Sequence, residues 1–185
     1  LKFRQFLDER KQMIGERSDK GISPLSEGKT YGILPCGLGA RDTLRTEAGL
    51  PLYGHELRAD RIALGHPWEF AIFWESDFVG KDVLLRQREK GINYYVFPFL
   101  MEGRRKAMPG FEVLLDGEVI GTVLSGVISP TLNNTPIGFI GVDRNLDVGT
   151  SLNFRQKDRP GMLEGRVGEI PFVPLTSRKK MINFL

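Results

Sequence analysis

The segment FEVLLDGEVIGTVLSGVISPTL, residues 111–132, decides the fold class of this chain. Two apolar runs, residues 111–115 and 119–124, flank the pair Asp116-Gly117. An Asp-Gly pair between two such runs is a strong signal for a β-hairpin with a two-residue turn. The segment therefore predicts two adjacent antiparallel strands.

Further short strands are predicted on both sides of this hairpin. Residues 92–100 are aromatic and β-branched, and three later apolar runs lie between Gly, Pro and Asn residues, at 136–142, 151–155 and 162–167. Several strands at close spacing without intervening helices indicate a small antiparallel barrel or sandwich. The 22 Gly and 11 Pro among 185 residues also favour a turn-rich, strand-rich fold.

The earlier part of the chain has helical periodicity. Residues 1–14 predict an amphipathic helix, residues 44–57 begin as a short helix that Gly49 ends, and residues 77–90 predict a further helix. The sequence therefore indicates an α+β chain with a domain boundary near residues 60–75.

Charge and cysteine content argue against several classes of protein. The formal net charge is only +3, and the two basic runs, at 104–106 and 178–180, are short, so we expect no nucleic acid as partner. No stretch approaches the roughly 20 apolar residues that a membrane-spanning helix needs, so we expect no membrane either. Cys36 is the only cysteine, which excludes an internal disulfide and favours a reducing compartment.

The richest motif is PCGLGARDTLRTEAGLPLYGHEL, residues 35–57. Its Gly37 and Gly39 do not form a dinucleotide or phosphate loop, because the third glycine and the Gly-Lys-Ser/Thr sequence of such loops are missing. We interpret them as a tight turn that leads into a helix. On that helix Arg41 and Arg45 lie one turn apart and repel each other, so Asp42, Glu47 or an external anion must compensate.

No catalytic or metal-binding set is evident from the residues themselves. His55 and His66 are not at ligand spacing and have no neighbouring cysteine, so we predict no metal site. Cys36 is interpreted as a buried apolar residue and not as a nucleophile. The carboxylates are scattered, with no pair spaced for acid–base chemistry.

The motif at 35–57 resembles the signature of the glycine cleavage system T-protein family, the aminomethyltransferases. Three further segments agree with that family in order and spacing, namely DFVGKDVLL at 77–85, DGEVIGTVLSGVISPTL at 116–132 and EIPFVP at 169–174. The resemblance implies that residues 1–65 complete the central folate-binding domain. It also implies that residues 66–185 form a small antiparallel, Greek-key-like β-barrel.

The resemblance implies a function as well. Family members transfer the one-carbon unit from the aminomethyl-lipoyl arm of the H-protein to tetrahydrofolate, with release of ammonia. The expected cofactor is therefore tetrahydrofolate and the expected partner is the lipoylated H-protein. The expected location is the bacterial cytoplasm or the mitochondrial matrix.

Four residues are implied as folate-binding by position in the family motifs. Arg45 matches the family arginine that reaches the folate, and Tyr53 matches a residue that faces the same region. Arg178 and Lys179 occupy the basic tail after the EIPFVP motif, where lysine in place of arginine weakens a bidentate contact. Arg41 and Asp42 are expected to brace the helix.

The family also has a first half that supplies the catalytic acidic residue and much of the folate pocket. We therefore expect no catalytic residue in this chain, inactivity of the chain alone, and the missing N-terminal half as a partner. The stretch GHPWEF at 65–70 departs from the family pattern, with Pro67 near an expected glycine and Phe70 where tryptophan is usual. The alternatives are a folate-dependent demethylase, the folate domain of a dimethylglycine or sarcosine oxidoreductase, and a non-catalytic barrel module.

Overall fold

The computed structural model describes residues 31–174, apart from residues 33, 35 and 158. The helix predicted at 1–14 lies outside the described residues, and so do Arg178 and Lys179. By their internal contacts, residues Leu1–Ala40 and Arg41–Leu185 group as two units. The domain boundary predicted between residues 65 and 66 stays a prediction.

Six strands close into an antiparallel barrel. They are β1 (Tyr95–Met101), β2 (Glu112–Leu115), β3 (Glu118–Ser129), β4 (Thr135–Val142), β5 (Ser151–Arg155) and β6 (Met162–Val167). Their order around the barrel is β1-β4-β3-β2-β5-β6, and β6 also pairs with β1. Strands β2, β3 and β4 are consecutive hairpins, while β1 lies beside β4, which is a Greek-key arrangement. The predicted α+β class with a small antiparallel barrel is confirmed.

The hairpin that decides the fold forms where the sequence places it. Asp116 and Gly117 have φ of 51° and 85°, as the two central residues of a type I′ turn require. Strand β3 continues beyond the predicted 119–124 to Ser129, because it pairs with β4 as far as Thr135. Strands β5 and β6 have the predicted bounds.

The barrel encloses an aromatic and aliphatic core. Phe99, Phe139 and Phe154 are fully buried, and the rings of Phe99 and Phe154 lie 4.8 Å apart between centroids. Burying each such side chain stabilises the fold by about 1.5–3 kcal/mol. The strands therefore form a core from their own residues.

In the described part of the chain two α-helices precede the barrel, and both begin elsewhere than the sequence predicts. Helix α1 is Leu38–Glu47, so it starts before residue 44 and includes Gly39, which corrects the interpretation of Gly39 as part of a turn; Gly37 lies outside the helix. Helix α2 is Lys81–Lys90 and begins later than residue 77, because Gly80 has a left-handed backbone with φ of 93°. No helix in the described part of the chain is long and apolar enough to cross a bilayer.

Candidate functional site

The signature segment, which we define as residues 41–57, is held on strand β3 by a buried carboxylate. Glu56 is completely buried, and its Oε2 accepts hydrogen bonds from Arg45 Nη1 at 2.8 Å and from the Leu52 amide at 2.9 Å. Its Oε1 accepts a hydrogen bond from Ser125 Oγ of β3 at 2.5 Å. Glu56 thus links the arginine of α1 directly to the barrel.

A second buried carboxylate makes a parallel contact at the end of α1. Glu47 Oε1 accepts hydrogen bonds from Ser129 Oγ at 2.5 Å and from the Thr131 amide at 3.3 Å, and Oε2 accepts one from Thr131 Oγ1 at 3.0 Å. Ser125 and Ser129 lie on the same face of β3, because strand side chains alternate. Two hydroxyls on one strand therefore donate hydrogen bonds to the two buried carboxylates of the signature segment.

Arg45 is the charged centre of this arrangement. Its side chain is only 9% exposed, and its Nε donates to Asp42 Oδ1 at 2.7 Å. Nη2 lies 2.7 Å from the same oxygen but lacks hydrogen-bond alignment, and Nη1 also reaches the Leu50 carbonyl at 3.3 Å. The ion pair with Asp42 that the sequence left open is therefore present, together with one to Glu56. The contact of Arg45 with folate stays a prediction.

Two further side chains of the signature segment are accessible, the predicted folate-binding Tyr53 and Arg41, which was expected only to brace the helix. Arg41, one helical turn before Arg45, is exposed and makes no ion pair with another described residue. Tyr53 is 74% exposed, and its backbone forms an isolated bridge with Leu57. The signature segment thus combines one buried arginine with an arginine and a phenol that a ligand can reach.

The loop after α1 is fixed at Gly49. This glycine has φ of 72°, and a Cβ there would lie 2.7 Å from the Cβ of Ile170, so a larger residue would collide. The Gly49 carbonyl accepts a hydrogen bond of 2.6 Å from the Trp68 indole. Trp68 is itself buried against the ring of Phe139 at 5.2 Å. The GHPWEF stretch therefore packs its tryptophan between the signature segment and the barrel.

The remaining candidates have structural surroundings. The Nδ1 of His55 lies 3.1 Å from the Leu124 carbonyl, and His66 is buried among aromatic rings. Cys36 is exposed, so its interpretation as a buried apolar residue is wrong. Within the described ranges, no group of three His, Cys, Asp or Glu side chains could hold a metal ion.

An open groove of about 620 Å³ lies elsewhere on the barrel. It is lined by residues of β1, β6 and the turn between β3 and β4, among them Met101, Leu132 and Arg166. Neither Arg45 nor Tyr53 lines it. The two predicted folate-binding residues that the structure describes therefore do not line this groove.

Comparisons with known proteins match both the sequence and the fold. A probable aminomethyltransferase of Pyrococcus horikoshii is 48% identical over 118 residues, which is 59% of this chain and 30% of the relative. An aminomethyltransferase of Caldanaerobacter subterraneus is 42% identical over 138 residues, or 74% of this chain and 37% of the relative. No family model matches the chain.

A solved structure agrees with these relatives. The crystal structure of glycine cleavage system aminomethyltransferase T from Bartonella henselae superposes with a TM-score of 0.66 at 26% identity. The match covers 74% of this chain and 39% of that one. The chain is homologous to the aminomethyltransferases. It spans between 30% and 39% of the length of these three proteins, which is consistent with their C-terminal half.

The aminomethyltransferase resemblance did not identify the residues that position the signature segment. Glu56 carried no role in the sequence interpretation, and Glu47 was only one of several possible partners for the arginines. Their hydroxyl partners Ser125 and Ser129 are 69 and 82 residues away along the chain. The one available signal is the pair of serines on the same face of a strand that is otherwise apolar on that face.

Proposed function

We propose that this chain forms the C-terminal part of a tetrahydrofolate-dependent aminomethyltransferase of the glycine cleavage system. The observation that carries the proposal is the identity of 48% over 118 residues to a protein named as a probable aminomethyltransferase. The buried Arg45–Glu56–Ser125 chain of contacts supports it, because it gives the family signature one fixed position on the barrel.

The contribution of this chain would be to bind and orient the folate. Guanidinium groups bind carboxylates bidentately, and the glutamate tail of a folate carries carboxylates. Arg41 is exposed and makes no ion pair with another described residue, whereas Arg45 is already held by Glu56 and Asp42. We therefore assign the direct carboxylate contact to Arg41 and propose that Arg45, one helical turn further along α1, adds positive charge beside it. Tyr53, Arg178 and Lys179 complete the proposed folate-binding set.

The described residues fit the tail of a folate better than its ring system. Arg41 and Tyr53 offer a cation and a phenol, but neither is enclosed by neighbouring residues in the described part of the chain. Bound tetrahydrofolate would supply the nitrogens that accept the one-carbon unit. The pocket walls and the catalytic carboxylate are assigned to an N-terminal portion, and the aminomethyl group to a lipoylated H-protein.

Exposed apolar side chains support the need for an N-terminal portion. Leu44, Leu50 and Tyr53 of the signature segment are all more than half exposed. Several large exposed apolar side chains within one short segment fit a surface that a partner covers. Placing reactants side by side is the main catalytic task in such a transfer, so both portions are needed to set the geometry.

A chimaera tests the proposal. In the fusion, this chain replaces the matching C-terminal portion of the Caldanaerobacter aminomethyltransferase. The N-terminal part of that protein is kept. The fusion is then supplied with tetrahydrofolate and an aminomethyl-loaded lipoyl carrier. We expect formation of methylenetetrahydrofolate and release of ammonia, and no product when the N-terminal part is omitted.

The unmodified Caldanaerobacter protein is the positive control in the same assay. A folded fusion that binds tetrahydrofolate but yields no product would contradict the proposed reaction. Product from a methylated amine, with no product from the lipoyl carrier, would favour the demethylase alternative. A folded fusion that binds no folate would favour a non-catalytic barrel module.

A further inference from the structure

His66 is a buried side chain that the proposed folate chemistry does not use. It lies in the junction segment, which we define as residues 58–80, and it is only 7% exposed. Both ring nitrogens are buried, and neither has a hydrogen-bond partner among the described residues. A histidine of this kind fits its site as a neutral ring and leaves an imidazolium without an acceptor.

The surroundings of His66 are mainly aromatic rings together with the guanidinium of Arg61. Its ring lies 6.0 Å from Trp68 in an edge-on arrangement and 6.2 Å from Tyr94. The Arg61 guanidinium sits 5.4 Å above the Tyr94 ring, so a cation already occupies this cluster. Glu69 is the carboxylate whose charge acts on the ring, and its Oε1 accepts a hydrogen bond from the Gly65 amide.

These surroundings set the protonation of the ring. Burial lowers the pKa of His66 below its usual value, the Glu69 carboxylate opposes that shift, and the Arg61 charge adds to it. The unfolded chain therefore binds a proton at His66 at a higher pH than the folded chain does. The contribution of the neutral ring is complete above about pH 6.5 and is lost as the pH falls toward the lower folded value.

Contacts on both sides of His66 join the junction segment to other elements. The Gly65 carbonyl accepts a hydrogen bond of 2.9 Å from the Val96 amide of β1. Trp68 donates to the Gly49 carbonyl of the signature segment and packs on Phe139 of β4. A charged ring at position 66 would disturb both neighbours.

We propose that His66 is an acid-sensitive lock between the junction segment and the barrel. The neutral ring holds the segment in place. Protonation releases the segment together with the Gly49 end of the signature segment, while the six strands stay folded. The lock involves contacts within this chain alone and is independent of the folate proposal.

Amide exchange on the 185-residue chain tests the lock, with protection factors measured between pH 7 and pH 5 and corrected for intrinsic rates. The Val96 amide reports on the junction segment, and the Val123 amide, which donates to Phe111, reports on the barrel. We expect the protection of Val96 to fall by up to about tenfold per pH unit below pH 6.5, the limit for one proton. The protection of Val123 should stay constant.

Two variants assign the effect, because the chain has only two histidines. His66→Phe keeps an aromatic ring beside Trp68 and cannot be protonated, so Val96 protection should no longer depend on pH. His55→Gln removes the other histidine and should behave like the unmodified chain. If His66→Phe does not fold, nitrogen NMR of the imidazole in the unmodified chain decides.

The lock predicts that the His66 ring titrates below pH 6.5, over the same range in which Val96 loses protection. Titration at or above pH 6.5 would overturn it. Equal loss of protection at Val96 and Val123 would also overturn it, since that result describes unfolding of the whole chain. A pH dependence that persists in His66→Phe, or disappears in His55→Gln, would overturn it as well.

Discussion

The barrel and the signature segment are stabilised by opposite kinds of contact. The barrel buries apolar rings such as Phe99 and Phe154 against one another. The signature segment buries polar side chains and leaves apolar ones exposed. Its buried side chains include Arg45, Thr46, Glu47 and Glu56, while Leu44 and Leu50 are exposed.

This difference assigns different tasks to the two regions. The hydrophobic effect is not directional, so apolar burial in the barrel contributes stability more than it orients a polar group. Charge-assisted hydrogen bonds such as Arg45–Glu56 depend on distance and angle, so they fix the position of the segment on β3. We infer that the barrel is the support and that the signature segment is the part oriented for function.

Removing a core ring should have the largest effect. Phe154→Ala leaves a cavity beside Phe99 in the fully buried core, and we expect a loss of about 3–5 kcal/mol in the free energy of unfolding. Urea unfolding followed by far-UV circular dichroism measures the loss. Phe73→Ala, at an exposed ring of the junction segment, is the matched control and should change stability by less than about 0.5 kcal/mol. Equal losses in the two variants would contradict the assignment of the core.

Breaking the buried ion pair should have the next largest effect. Glu56→Gln removes the charge that faces Arg45 and leaves that guanidinium with Asp42 as its remaining carboxylate. Breaking a buried pair costs about 3–5 kcal/mol, and because Asp42 remains we expect a loss of about 3 kcal/mol. Amide exchange should place most of this loss in residues 41–57 and little in the strands.

The control for Glu56 is an exposed carboxylate nearby. Asp60 pairs with Arg58 at the surface, so Asp60→Asn should cost less than about 1 kcal/mol. A Glu56→Gln variant as stable as Asp60→Asn would show that the buried contacts do not hold the signature segment. A loss spread evenly over barrel and segment would remove the distinction between the two regions.

Local sequence predicted most of the barrel. The hairpin at Asp116-Gly117 and the bounds of β5 and β6 follow from apolar runs between turn residues. The predicted end of β3 and the predicted starts of both described helices were wrong. The end of β3 depends on its pairing with β4, and the start of α2 depends on the left-handed backbone of Gly80. Tertiary contacts set these bounds, and short apolar patterns do not contain them.

The site was less predictable than the fold. Two arginines one turn apart indicated a need for a counter-charge, and Asp42 was named as a candidate. The second carboxylate, Glu56, and its anchor Ser125 join through a contact across 69 residues. Likewise, the rings of Trp68 and Tyr94 lie around His66 only in the folded chain, so the sequence did not indicate that this histidine is buried.

Tetrahydrofolate affinity tests the central claim most directly, which is that the signature segment presents an arginine to a folate carboxylate. Calorimetry on the folded Caldanaerobacter fusion should show that Arg41→Ala weakens binding by about 1–3 kcal/mol, the cost of a lost charged hydrogen bond. The stability of that variant should be unchanged, because Arg41 is exposed. In Arg45→Ala we expect weaker binding accompanied by a loss of stability. Unchanged affinity in both variants would contradict the account.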